Sequence, residues 1–565
     1  MNLFNIILNG AILAICVIFL RHTYTRIRYF LQMLQQHGYK THEYRSWILD
    51  HFSTRVLTTE HILYNIVIFA FIYSLAQVIT FVAGVIIMFV FTLFWFGSVS
   101  RYRPAKDKKP LVFTPRVKRL SATLAVLILP VYYYLGGFIF SSELFYMSQT
   151  IEEPVGNFLT ADPYFLAFLL CMVDMAIPFL IFPAAWLMKP VERTIQNGFK
   201  KQARAKLASM PHLKVIAITG SYGKTSTKFV IDAFLKERLN ICVTPGSYNT
   251  PMGICKVINN DLEAAHQVLI LEMGARYKGN IKELCNIAKP DISVVTNVGL
   301  AHLETFGSQK AIAHEKATLA RELKPGGLLV LNGNDPIVKN MGENRTDIKR
   351  IITGKETGEI WADNQSVDPD GTTFTLCWTR DGRNDSTTIT TPVLGNHNIQ
   401  NIVQAAAVAL HFEIRPETIA IAASRMEPVE HRLELKKQGE LTVIDDAFNS
   451  NPVGAKNAVE ILASFTTGRR IIITPGMIEL GELEEEKNRE LGVHIGKSGI
   501  ELAILVGADR TEPIRKGIEE SRSGQNPEIK TVSTLFEANE FLQSFAAPGD
   551  VVLYENDLPD TYTEG

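Results

Sequence analysis

The chain of 565 residues has only six cysteines, Cys16, Cys171, Cys242, Cys255, Cys285 and Cys377, and no two form a C-x-x-C pair. That scarcity excludes a disulfide framework and provides no zinc-site spacing. A cytoplasmic setting suits the polar two thirds of the chain. Net charge is nearly absent as well. A formal balance of −1 lacks the basic excess that nucleic acid attracts, so no nucleic-acid partner is expected. Lys and Arg are missing from 141–163, which instead holds Glu143, Glu152, Glu153 and Asp162.

Long apolar runs are present, all in the first third. Stretches at about 3–20, 62–79, 81–99, 121–140 and 164–188 each approach the ~20 residues that span a bilayer. Nothing basic precedes the first run, which argues against a secretory signal. Arg21 to Arg55, Arg101 to Arg119 and Lys189 to Lys206 supply basic segments between or after the runs. The positive-inside rule then predicts five spans with the N-terminus outside and the catalytic part in the cytoplasm. The expectation is a multi-pass protein of a bacterial-type cytoplasmic membrane, with membrane lipids as partners and a basic linker over 191–213. Asp174, inside the fifth run, is a functional candidate as an intramembrane acid.

The polar part is organised around Lys214 to Asp232. Val215 to Ile218 is a short apolar run, as in a buried parallel strand. Gly220, Ser221, Tyr222, Gly223, Lys224 and Thr225 break it, and Ser226 to Leu235 continue as a helix. Strand, Gly-rich turn and helix N-terminus make a phosphate cradle, where backbone N–H groups and the helix dipole face an anion. Lys224 then serves the β/γ-phosphates of ATP and Thr225 a Mg²⁺ ion. Ile218 stands where the usual motif has its first glycine, so this is a shorter G-x-x-G-K-T variant.

Beyond it, apolar strands alternate with helical patterns, which predicts α/β layers. Gln267–Leu271, Ile292–Val295 and Leu328–Leu331 are buried strands whose polar ends lie where ligands gather. Glu359 to Pro392, Thr-rich and broken by Asp-Gly, predicts antiparallel hairpins, and Asn396 to His411 a helix. Leu441–Ile444, Arg470–Thr474, Leu502–Val506 and Val551–Tyr554 belong to a second α/β unit without a phosphate loop. The predicted architecture is an α-helical membrane domain over 1–190, a P-loop central domain over 214–429 and a Rossmann-like C-terminal domain over 430–565.

Nine segments in order carry a resemblance: TGSYGKTSTK (219–228), SYNTPMG (247–253), LEMGA (271–275), TNVGLAHLETFGS (296–308), HEKATL (314–319), GNHNIQN (395–401), HRLE (431–434), DDAFNSNP (445–452) and GMIELG (476–481). Together they resemble the Mur ligase family, most closely its D-Ala-D-Ala-adding branch. The resemblance implies ATP-dependent amide formation through an acyl phosphate. It implies that Thr225 and Glu272 hold one Mg²⁺ and that His302 helps hold a second. Lys316 matches the lysine that the family carbamylates; a carbamate presents the oxygens that Mg²⁺ prefers. Lys224, Glu272, His302 and Lys316 are the implied catalytic set. Ser226, Asn398, Asn401, Arg432 and Asp446 join the phosphate loop as nucleotide-binding positions, with Arg432 and Asp446 arriving on domain closure. Asn249, Gly253 and Asn449 are substrate-side candidates. His397 is assigned no proton-transfer role.

Two departures shape the expected substrate. The 25 residues of 189–213 leave no room for the uridine-nucleotide-binding domain of soluble members, and Glu555 to Asp560 is acidic where the adding branch is basic. The expected reaction is therefore a membrane-bound ligation of an amino acid, peptide or other amine to a lipid-linked or polymeric envelope carboxylate. The D-Ala-D-Ala-adding reaction is the alternative within the class. An ATP-driven transporter is the alternative outside it, disfavoured by the lone Glu272 at its strand end.

Overall fold

The computed structural model describes residues 3–63, 65–67, 110–130, 163–355, 358–380, 382–448, 450–521 and 527–557. The expected span at 81–99, most of 62–79, the second half of 121–140 and the candidate Asn449 lie outside the described residues. The chain forms two compact units, Met1–Ile195 and Gln196–Gly565.

The first unit is helical. Its opening helix, Leu3–Gln36, does not stop at Arg21 but continues through Arg26 and Arg28. A short helix, Thr41–Asp50, packs Tyr44 and Trp47 against Phe30, Leu34, Leu124, Ile177 and Ile181. A 46-residue helix, Pro163–Ala208, contains Pro178, Pro183 and Pro190 and runs on through most of the expected linker. Among the described residues one helical stretch, Met172–Ala208, is long and apolar enough to cross a membrane by length and composition. It overlaps the fifth expected span, 164–188.

Asp174 also differs from its expected role. Its Oδ2 accepts from Arg26 Nη1 at 3.1 Å and lies 3.0 Å from His61 Nε2 and 3.6 Å from His22 Nε2, all buried. The Arg26 guanidinium also donates to the Asp174 carbonyl at 2.8 Å and to that of Val56 at 3.2 Å. Asp174 serves here as half of a buried ion pair, which neutralises a charge that is costly to bury alone.

The second unit contains two sheets. The first runs β2-β3-β1-β4-β5-β6-β7-β8-β9, with β1 Lys214–Thr219, β2 Ile241–Val243, β3 Val268–Glu272, β4 Ile292–Val295, β5 Leu328–Asn332, β6 Lys349–Thr353, β7 Ile360–Asp368, β8 Gly371–Arg380 and β9 Arg383–Thr391. β1 to β6 pair in parallel, and β7–β8–β9 are antiparallel hairpins, as the Thr-rich alternation predicts. β1, β3, β4 and β5 are apolar on both faces because helices cover both sides. The Lys224–Leu235 and Asn396–His411 helices bury Val230, Ile231, Phe234, Ile399, Ile402 and Val403 in one shared core.

The second sheet runs β10-β11-β15-β12-β13-β14, with β10 Glu434–Gln438, β11 Leu441–Asp446, β12 Arg470–Thr474, β13 Leu502–Val506, β14 Glu528–Val532 and β15 Val551–Glu555. Only β10 is antiparallel to its neighbour. β2, β6, β10 and β14 are not anticipated by the sequence reading. β2, β10 and β14 are edge strands, which need no continuous apolar run. β6 lies inside the sheet between β5 and β7, but its KRIIT sequence is only partly buried and carries no continuous apolar run.

β1 lies between β3 and β4, so the strand order reverses at its carboxyl end. Such a switch point opens a crevice above the sheet, where ligands of open α/β sheets bind. The glycine-rich turn leaves β1 at that crevice.

Candidate active site

The turn is shaped by close packing. Gly220 faces Thr296, whose Oγ1 would lie 1.8 Å from any added Cβ, and Gly223 adopts φ +74°, a conformation that favours glycine. Ser221 N donates to the Asn297 carbonyl at 3.0 Å, and Tyr222 N to Asn297 Oδ1 at 2.8 Å. The Tyr222 hydroxyl accepts from Leu300 N at 2.8 Å. The segment after β4 therefore splints the phosphate loop from outside. Lys224 Nζ is folded back on the Gly220 and Ser221 carbonyls, at 2.9 and 3.3 Å. Burial lowers its pKa, opposed by Glu272 and reinforced by Arg432. Ser226 is buried in the first helical turn.

Thr225 Oγ1 donates to Glu272 Oε2 at 2.8 Å, joining the start of the Lys224–Leu235 helix to the end of β3. The other carboxylate oxygen accepts from Asn249 Nδ2 at 3.0 Å. A hydroxyl and a carboxylate facing a phosphate cradle are oxygen donors of the kind Mg²⁺ takes, so this pair fits the implied ion. Asn249 thus meets the site directly. Gly253 does not; its N–H is capped by Thr250 Oγ1 at the start of the Pro251–Asn260 helix.

Lys316 ends the Gln309–Lys316 helix with only 4% of its surface exposed. Burial, followed by the charge of Lys224, drives its pKa well below the usual value, with Glu315 opposing. A neutral amine is a poor Mg²⁺ ligand, so Lys316 fits a metal site only after conversion to an oxygen-bearing group. His302 caps the short Leu303–Phe306 helix at φ +59°, and its Nδ1 lies 2.6 Å from Glu479 Oε2.

The second sheet completes the cleft. Arg432 Nη2 donates to Thr225 Oγ1 at 3.4 Å, and its guanidinium lies 4.8 Å over the Phe448 ring. Asp446 supports this arm by accepting from Leu433 N at 3.2 Å. Burial, then the nearby Glu555, pushes the Asp446 carboxyl well up, against Arg432. Ser221, Lys224, Thr225, His302, Arg432 and Glu479 line one cleft. Asn401 packs behind the loop against Gly223, bonded to Thr227 Oγ1 at 3.2 Å and to Asn398 Oδ1 at 3.0 Å. Asn398 in turn donates to the Leu394 carbonyl at 2.7 Å. Glu555 is fully buried and accepts from Thr474 Oγ1 at 2.5 Å, so it closes β15 rather than forming an exposed acidic tail.

The sequence reading missed three residues. Lys228 Nζ lies 3.7 Å from Glu272 Oε2, with both side chains buried. Its position four residues after Lys224, on the same helical face, is the available signal. Arg276 and Glu479 meet across 203 residues of sequence, and no local pattern reveals that.

Residues 218–409 match the family model for the Mur ligase middle domain, and 431–554 that for the Mur ligase glutamate ligase domain. A Bacillus subtilis UDP-N-acetylmuramoyl-tripeptide--D-alanyl-D-alanine ligase is 31% identical over 347 residues, covering 60% of this chain and 72% of that protein. The ligase of the same name from Mycobacterium tuberculosis strain CDC 1551 is 33% identical over 361 residues, covering 60% and 70%. The chain belongs to the Mur ligase family. This Mur ligase shares its fold with a MurF crystal structure from Acinetobacter baumannii, at a TM-score of 0.58 and 24% identity over 65% of this chain and 79% of that one. The MurF ligase of Thermotoga maritima in complex with ADP gives 0.57, covering 65% and 82%.

The protein is accordingly an ATP-dependent carboxylate–amine ligase. The transporter alternative falls with that result. The multi-pass membrane placement is also corrected. The solved MurF structures account for the α/β layers that make up most of the described chain, and among the described residues one apolar helical stretch is long enough to cross a membrane. The membrane-lipid partners inferred from the basic loops lose their support with it.

Proposed function

We propose that this ligase joins the amine of D-Ala-D-Ala to the terminal carboxylate of a muramyl tripeptide in peptidoglycan synthesis. The observation that carries this reading is the reach of Arg432 from the second sheet to Thr225 on the phosphate loop, 3.4 Å away. It brings both sheets to one nucleotide end, in a chain whose relatives bear that activity in their names. The lipid-linked or polymeric acceptor first expected is less well supported than this alternative.

In the proposed sequence the backbone N–H groups of the loop cradle the ATP phosphates. Lys224 leaves the Gly220 and Ser221 carbonyls and turns to the γ-phosphate. Thr225 and Glu272 would hold one Mg²⁺, and His302 with carbamylated Lys316 a second; the ions supply charge neutralisation where triphosphate and acceptor carboxylate meet. An acceptor oxygen attacks the γ-phosphorus and ADP leaves. The donor nitrogen then attacks the acyl carbon, loses its proton, and phosphate departs as the amide forms. Arg432, supported by Asp446, closes the cleft against water, which would hydrolyse the acyl phosphate. Asn398 and Asn401 back the loop, and Asn249 orients Glu272. Lys316 suits carbamylation because its buried neutral amine can add CO₂ with loss of one proton.

The test is phosphate release by the purified protein with ATP and Mg²⁺. D-Ala-D-Ala is offered with UDP-linked and, separately, lipid-linked muramyl tripeptide, and products are read by mass spectrometry. Release that requires both acceptor and dipeptide, with the expected amide mass, supports the reading and identifies the acceptor form. Release indifferent to the dipeptide overturns it.

A further inference from the structure

We propose that Glu479 is a positioning residue: it arrives with the second sheet, orients the His302 imidazole, and makes the His302 metal position complete only when the two sheets close on each other. This inference rests on the two-metal reading above.

The carboxylate uses both oxygens on the partner domain. Oε2 lies 2.6 Å from His302 Nδ1, and Oε1 accepts from Arg276 Nη2 at 3.0 Å. A carboxylate can only accept, so His302 Nδ1 carries the hydrogen and the Nε2 lone pair is left for a cation. Carboxylate–imidazole pairs of this kind set the tautomer and ring orientation of metal-binding histidines. Arg276 balances the charge, so that Glu479 orients the ligand instead of competing for the ion.

Backbone geometry makes the contact specific. His302 and Glu479 both occupy the left-handed region, at φ +59° and +63°. Non-glycine residues are held there only when their surroundings enforce it, and such strain gathers at functional sites. The Glu479 loop is fastened to its own sheet. Met477 N donates to Asn488 Oδ1 at 2.8 Å, Asn488 Nδ2 returns to the Met477 carbonyl at 2.9 Å, and Asn556 Nδ2 holds the Gly476 carbonyl at 2.7 Å. On the other side, Thr305 Oγ1 ties the Arg276 carbonyl to the His302 helix at 2.7 Å. The Glu479 carboxylate is thus carried by one piece and His302 by the other, and separating the sheets removes this His302 partner.

The test is Mn²⁺ binding, read by electron paramagnetic resonance on the full chain with a non-hydrolysable ATP analogue, for the parent, Glu479→Ala, Glu479→Gln, His302→Ala and the Glu479→Ala/His302→Ala pair. Thermal midpoints verify folding. We expect the weaker Mn²⁺ class to lose about 10- to 100-fold in affinity in Glu479→Ala. The tighter class at Thr225 and Glu272 should stay unchanged, and the double variant should be no worse than His302→Ala. Glu479→Gln, which keeps an acceptor but loses the charge that Arg276 balances, should fall between and covers the case of a poorly folded alanine variant. Parent-like affinity in a folded Glu479 variant, or losses that add in the double variant, overturns the inference. A parent that binds only one Mn²⁺ class instead sinks the two-metal reading beneath it.

Discussion

Lys228 and Glu272 form a buried charge pair 3.7 Å apart at the base of the phosphate crevice, with side-chain exposures of 0% and 1%. Lys228 Nζ thus places a cationic group beside the Glu272 carboxylate, whose oxygens also meet Thr225 Oγ1 and Asn249 Nδ2. Burial lowers the Lys228 pKa to about 8, with Glu272 opposing the shift. Removing one partner leaves an uncompensated charge, which costs about 3–5 kcal/mol. Lys228→Met should lower unfolding stability by about that amount, and adding Glu272→Gln should restore part of it. Chemical denaturation of the parent and the two variants measures both effects; an undiminished Lys228→Met protein would show that the buried pair contributes nothing to stability.

Gly220 is the point of closest approach in the loop. An added Cβ would meet Thr296 Oγ1 at 1.8 Å, so Gly220→Ala should displace the cradle by a large fraction of an ångström. Misplacement on that scale costs about 100-fold in turnover. Thr296→Ala removes the obstructing atom, at the loss of its 2.5 Å bond to the Tyr222 carbonyl. The double variant should therefore recover most of the activity, as steady-state kinetics with ATP would reveal.

Lys316 should carry a carbamate. Its buried amine, held neutral by burial and by the Lys224 charge, is the form that reacts with CO₂. Protein equilibrated with ¹³C-bicarbonate should show a carbamate resonance that is missing from Lys316→Ala, and Lys316→Ala should be inactive at any bicarbonate level. An unchanged spectrum in the variant would remove Lys316 from the metal-holding set.

His397 offers a pH signature that is independent of catalysis. Burial, then Arg432, lowers its pKa to about 4, and Asn457 Nδ2 approaches its Nδ1 at 3.1 Å. Folded protein keeps this ring neutral where unfolded chain, with the ordinary value of about 6.5, takes up a proton. The depressed pKa therefore supports stability in full above pH ~6.5, and that support is lost as pH falls toward about 4. Its size is up to about 3 kcal/mol. His397→Gln should flatten the dependence of the denaturation midpoint between pH 6.5 and 4.5, whereas a parallel curve would assign that acid sensitivity to other groups.

The features legible in the chain alone are local and repetitive. β4, β12 and β13 occur with the predicted bounds, and β1, β3, β5, β11 and β15 within a residue or two, because a strand covered on both faces must be apolar throughout. Gly220 to Thr225 predicted the tight turn after β1, because a positive φ and close backbone approach require glycine at fixed spacing. The charged edge strands β10 and β14 escaped, since nothing local distinguishes them from surface loop. Hydropathy alone gave the reading of the first third as five spans, whereas only packing paired Arg26 with Asp174 inside that unit. The site shows the same division. Lys224, Thr225 and Glu272 stood out as motif ends and the reach of Arg432 was implied by the resemblance alone, while its contact with Thr225, the Lys228 charge pair and the meeting of Glu479 with His302 and Arg276 are tertiary. Those contacts join residues as many as 207 positions apart, and a pairing between two sheets leaves no periodicity in either one.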